Sequence, residues 1–121
     1  MDLRGFLKEN NSFPENRRVE VSPCFRDGEH TAEWELRAVS EEEYRRAAEK
    51  AGDKWAALCV LAVAAPDLRD RRLWESYGTA SAEDTLKEML YPGEYLRLLE
   101  EVKALNGFAE RRAEWKAQAK N

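Results

Sequence analysis

A single histidine, His30, and two cysteines, Cys24 and Cys59, are the side chains best suited to bond-making chemistry in this chain. Nucleophilic catalysis needs a nucleophile within reach of a base that a third group orients. His30 instead follows Asp27-Gly28-Glu29 in a turn-like stretch, where a lone histidine is expected to face solvent. Neither cysteine has a second Cys or a His beside it, so the spacing of a metal site is absent. Cys59 lies in Ala56-Ala57-Leu58-Cys59-Val60-Leu61 and reads as a small core apolar residue. Cys24 falls in a candidate strand and is expected to be a packed thiol. No glycine-rich phosphate cradle occurs. The runs Glu41-Glu42-Glu43 and Glu100-Glu101 sit in helical patterns, where consecutive carboxylates point in different directions and make no acid–base pair. No catalytic, cofactor-binding or metal-ligating residue is expected, and no cofactor.

Charge and composition narrow the classes further. The formal net charge is −4, and the basic doublets Arg17-Arg18, Arg45-Arg46 and Arg111-Arg112 are diluted by neighbouring acids. Such a surface offers little to nucleic acid or to an anionic membrane, so neither is expected as a partner. No apolar stretch approaches the ~20 residues that span a bilayer. The start, Met1-Asp2-Leu3-Arg4, lacks the apolar core of a signal peptide, and a cytosolic location is expected. With 43% apolar residues the 121-residue chain holds enough for one modest core. Trp34, Trp55 and Trp74 lie on the apolar sides of their segments and are expected in that core.

The elements that must position these residues fall in a definite order. Asp2–Glu9 suggests a short helix with Leu3, Phe6 and Leu7 on one face. A polar loop through Pro14 follows. Arg18–Phe25 and Ala32–Val39 alternate apolar and polar residues around the Asp27-Gly28 step, which predicts a β-hairpin. From Ser40 the period becomes helical. Ser40 with Glu43 forms a capping box for a helix to about Lys50. Asp53 caps a second helix over Lys54–Ala65, apolar nearly all round and therefore central, which Pro66 stops. Leu68–Tyr77 closes at Gly78, Ser81 opens a helix through Leu90, and Pro92 begins another that ends at Asn106-Gly107. A charged helix over Phe108–Lys120 completes the chain. The fold class is therefore α+β, an N-terminal β-hairpin packed on a bundle of five or six short α-helices. One domain is expected, with a leader at 1–16, the hairpin at 17–39, a helical core at 40–108 and the charged helix at 109–121.

Four ordered blocks carry a resemblance. They are Ala65-Pro66-Asp67-Leu68 through Tyr77-Gly78, Ala82-Glu83 through Met89-Leu90, Pro92-Gly93-Glu94-Tyr95 with Leu98, and Val102 through Leu105-Asn106-Gly107-Phe108. Together they resemble the XkdN-like tail assembly chaperones of contractile-tailed phages and prophages of Gram-positive bacteria, and the likeness extends over essentially the whole chain. As a set of residues the blocks mainly supply caps and apolar faces, so they speak for the fold. The resemblance implies the function: a non-enzymatic chaperone that binds the tape-measure protein and keeps it soluble during tail morphogenesis. It also implies a longer frameshifted form and the tail-tube protein as further partners. The chain would act in the host cytoplasm and be absent from the mature virion. The alternative is a structural or adaptor protein that stays in the phage tail.

A holding protein needs apolar surface that can be covered and released. The candidates are the hairpin face, Val19, Val21, Trp34 and Leu36, and the later aromatic residues Tyr91, Tyr95, Phe108 and Trp115. An edge strand carrying Val19 and Val21 also suggests a homo-oligomer by pairing with another copy. Trp115→Ala is expected to leave the fold intact while weakening client binding or self-association. A stability loss above about 2 kcal/mol in denaturant unfolding would put Trp115 in the core instead.

Overall fold

A computed structural model describes residues 2–108. The charged helix expected at 109–121, with Trp115, lies outside them. The described part is α+β, as expected. Its strands are β1 (Arg17–Val19), β2 (Arg26–Asp27), β3 (His30–Thr31), β4 (Trp34–Leu36) and β5 (Val63–Ala65). Its helices are α1 (Glu41–Lys50), α2 (Lys54–Ala62), α3 (Arg71–Tyr77), α4 (Ala82–Met89) and α5 (Pro92–Leu105).

The hairpin forms, but in two pieces. β1 pairs antiparallel with β4, Arg17 opposite Leu36 and Val19 opposite Trp34. Beyond Val19 the ladder stops, because Pro23 has no N–H and the Ser22 hydroxyl takes the Cys24 N–H at 3.1 Å. Pairing resumes in the small β2–β3 ribbon, whose turn places Gly28 at a φ of 64°, a conformation that favours glycine. Between the two ladders Val21 still points inward and is buried.

The third strand of the main sheet was not expected. Helix α2 ends at Ala62, and Val63–Ala65 turns into β5 along the other edge of β4. Three things favour the change over a longer helix. Pro66 disfavours a helical conformation at Ala65, Val63 is β-branched, and the free edge of β4 supplies partners. Ala62 O accepts the Arg37 N–H at 2.8 Å, so the last helical carbonyl finds its bond in the sheet.

Local capping sets the helix starts, as read from sequence for α1, α2 and α4. Helix α3 begins at Arg71 and not at Leu68, because Asp70 caps it there. Ser40 Oγ accepts from Glu43 N–H at 3.1 Å while Glu43 Oε1 accepts from Ser40 N–H at 3.2 Å. Asp53 caps α2 through the N–H groups of Trp55 and Ala56. Asp70 and Ser81 do the same for α3 and α4, and Gly78 closes α3 at a φ of 69°. Helix α2 is buried on nearly every side. Its Leu58, Cys59 and Ala62 meet Trp34 and Leu36 of β4, with Leu86 of α4 and Leu98 and Val102 of α5 in the same core.

The leader is not the single helix expected over Asp2–Glu9. Leu3–Phe6 and Lys8–Asn10 form two separate 3-10 turns, with Leu7 extended between them and no residue buried. An isolated helix this short is marginal in water, and here no surface lies beneath it to stabilise one.

One side chain ties the far ends of the fold together. Asn106, just past α5, accepts the Val39 N–H at 2.7 Å and donates to Val102 O at 2.9 Å and Arg37 O at 3.4 Å. Replacing it with Leu leaves the Val39 N–H without this partner. We expect Asn106→Leu to cost about 1–3 kcal/mol in denaturant unfolding. A change under about 0.5 kcal/mol, ordinary for a surface site, would mean that the clamp contributes nothing.

Candidate protein-binding surface

The structure divides the residues proposed from sequence. Val21, Trp34 and Leu36 are at most 1% exposed and pack under α2, and Val19 is half-buried against the same core. The hairpin face is therefore core and not an open surface. The reason is that α2 is apolar all round and needs a cover, which the sheet provides. Tyr95 is half-buried with its hydroxyl enclosed and without a partner among the described residues, and burial pushes its pKa up to about 12. Phe108 stands edge-on to Trp55 at 5.2 Å and to Tyr44 at 6.1 Å. Trp115 lies outside the described residues. Among the described residues of the set Tyr91 alone is fully presented, at 70% exposure.

Tyr91 rims a depression of about 430 Å³ whose apolar lining is Phe25, Tyr77, Met89 and Leu90, with Cys24 and Glu88 at the edge. Each lining residue is placed by the end of an element. Tyr77 is the last residue of α3 and Met89 the last of α4. Phe25 precedes β2 and leans on Trp34 with ring centres 5.8 Å apart. Tyr91 precedes Pro92, and its N–H donates to Glu94 Oε1 at 3.0 Å. Nothing in the local sequence pattern brings Phe25 to Tyr77 and Met89, because the three come from distant segments. The signal that could have found them is the common position at helix and strand ends.

A second aromatic group was misplaced by the sequence reading. Trp55 belongs to the first turn of α2 but is 38% exposed. Its ring packs against Phe108 and carries Lys103 Nζ 4.8 Å from its centre. A position in the first turn of a buried helix projects toward the helix end, where the core stops. Apolar side chains also stand exposed on the leader: Leu3, Phe6, Leu7 and Phe13.

The polar groups form structural contacts. His30 is exposed in β3. Lys87 bonds Asp53 at 3.0 Å and, with the capped N–H groups of α2, holds its carboxyl below the usual range. Arg37, bonded to Glu43 at 3.0 Å, does the same there with the Ser40 N–H. Among the described residues no group of three or more His, Cys, Asp or Glu side chains is placed to hold a metal ion. None of the described helices is long and apolar enough to cross a membrane.

Comparison with known proteins adds two findings. A family model described as phage XkdN-like tail assembly chaperone protein matches residues 51–120, more than half of the chain. The crystal structure of the protein yqbn, a structural genomics target, superposes with a TM-score of 0.78 at 22% identity, covering 90% of this chain and 98% of that one. That likeness concerns the fold. No curated protein matches.

The two thiols are opposites. Cys24 is exposed in the turn before β2, where a packed thiol was expected, because the broken ladder leaves it outside the sheet. Cys59 is fully buried, and burial, with the Asp53 charge adding to it, pushes its thiol up to about 12. A thiolate-selective alkylating agent near pH 8 is expected to modify Cys24 alone in the native chain and both thiols after denaturation. Native labelling of Cys59 at a rate near that of Cys24 would contradict the packing described.

Proposed function

We propose that this chain, which belongs to the phage XkdN-like tail assembly chaperone family, binds the tape-measure protein and keeps it dispersed until a tail is built around it. The observation that carries the reading is the exposed Tyr91 ring beside a depression lined by Phe25, Tyr77 and Met89. A long helical client presents apolar stripes that associate with one another until the tube encloses them. A holder must cover such stripes and then release them. Methionine and aromatic side chains suit this work, because a flexible thioether and flat rings re-pack against many partners.

In this reading the chain acts by contact and performs no bond-making step. It works in the host cytoplasm before the particle is complete and is absent from finished tails. The tail-tube protein and a longer frameshifted form are its further partners. Neither nucleic acid nor membrane takes part.

Co-expression with the adjacent tape-measure gene tests this directly. The wild-type chain is expected to hold the client in the supernatant and to co-purify with it. Tyr91→Ala removes an exposed ring, so the melting temperature should stay near wild type while client affinity falls about tenfold or more, as for an interface anchor. A client equally dispersed with and without the chain contradicts the proposal. Recovery of the chain as a fixed component of purified tails would support an adaptor instead.

A further inference from the structure

We propose that the leader, residues 2–16, is an arm that docks Leu3, Phe6 and Leu7 into a groove floored by Ala47, Leu61 and Trp74 on a second copy of this chain. The inference is independent of the client, since it concerns the chain alone.

The arm has the form of a ligand. None of residues 2–16 is buried, and Leu3, Phe6 and Phe13 are 69%, 67% and 64% exposed. Leu3 and Phe6 bound the first 3-10 turn and Leu7 stands extended just after it, so three apolar side chains are grouped within five residues. On its own chain this triad does not pack against the described hydrophobic core. Exposed apolar side chains scattered singly are ordinary, but three within five residues of one segment mark a contact surface.

The groove has the complementary form. Two adjoining depressions, of about 410 and 330 Å³, share Ala47, Leu61 and Arg69 between α1, α2 and the start of α3. The short side chains of Ala47 and Ala57 leave room there, and Leu61 and Trp74 add apolar lining. Lys50 and Arg69 stand on the rim. Among the described residues neither makes an ion pair, although nearby Arg37, Arg46 and Lys87 are each paired. The arm shows the matching pattern. Its Asp2 is taken by Arg4, and its Glu9 and Glu15 have no ion-pair partner among the described residues. The arm's other cation, Lys8, suits Glu83 on the groove's far side.

The root of the arm lies away from the groove of its own chain. Arg17 pairs with Glu101 of α5 at 3.1 Å, and Asn16 bonds Glu35 at 3.3 Å, so the arm leaves the body on the α5 side of the sheet. No residue of α5 lines the groove. Reciprocal exchange of arms closes a dimer, in which the same two surfaces meet twice.

Light scattering of the purified chain over a range of concentrations, without client, is the test. Wild type is expected to associate. L3D/F6D changes only exposed arm residues, and K50E/R69E only exposed rim residues, so circular dichroism should show both folded. Each should weaken association about tenfold or more. Mixing the two variants should raise association above that of either alone but below wild type, because the mixed pair regains one of the two arm–groove contacts. Wild type that stays monomeric, an arm variant that associates like wild type, or a mixture that stays apart would overturn the proposal. So would a monomer whose arm amides are protected, which would place the arm on its own body.

Discussion

The fold is organised by helix α2, a nine-residue segment apolar on nearly every side that must be covered all round. Water cannot be left against Leu58, Cys59 or Ala62 without forfeiting the burial that makes a chain of this size stable. Strand β4 supplies one cover through Trp34 and Leu36, and α4 and α5 supply others through Leu86, Leu98 and Val102. The same demand recruits Val63–Ala65 into the sheet, since the chain leaving α2 already lies beside β4. The hairpin's apolar face is thereby spent on the interior.

That outcome moves the candidate binding surface elsewhere. Once the sheet serves the core, most of the exposed large apolar groups among the described residues stand where elements end or on the leader. Leu96, on the outer face of α5, is an exception. Helices α3 and α4 finish, and α5 begins, around one place where Phe25 also arrives, and the result is the depression beside Tyr91. Phe25, Met89 and Leu90 pack on the core there and hold the depression in shape, while the exposed Tyr91 ring can be covered and uncovered at little cost to the fold. This is the property that reversible holding of an aggregation-prone client requires.

Much of the fold was legible because its determinants are local. Ser40 with Glu43, Asp53, Ser81, Gly78 and Pro92 each fix a helix boundary by an interaction within a few residues, and each behaves as read. The resemblance to the tail assembly chaperones likewise rested on ordered helical blocks that the family comparison also covers. Long-range pairing was not legible. Val63–Ala65 extends a helical pattern perfectly well, and only the edge of β4 turns it into a strand. Nor does alternation in Val19, Val21, Trp34 and Leu36 say whether the apolar side meets the chain's own helices or another molecule. Trp55 failed for a related reason, since an apolar helix is not uniformly deep and its first turn lies at the rim. Of the binding candidates Tyr91 emerged exposed, whereas its neighbours in space had no local signature.

The central claim is that contact surface lies at the element ends around Tyr91 while the hairpin face stays sealed in the core. Hydrogen exchange of the chain alone and with tape-measure protein bound tests it most directly. The account predicts slowed exchange at Phe25, Tyr77 and Leu90–Tyr91 on binding, with β4 equally protected in both states. New protection confined to β4, together with rapid exchange of Trp34–Leu36 in the free chain, would contradict it and restore the hairpin as the binding face.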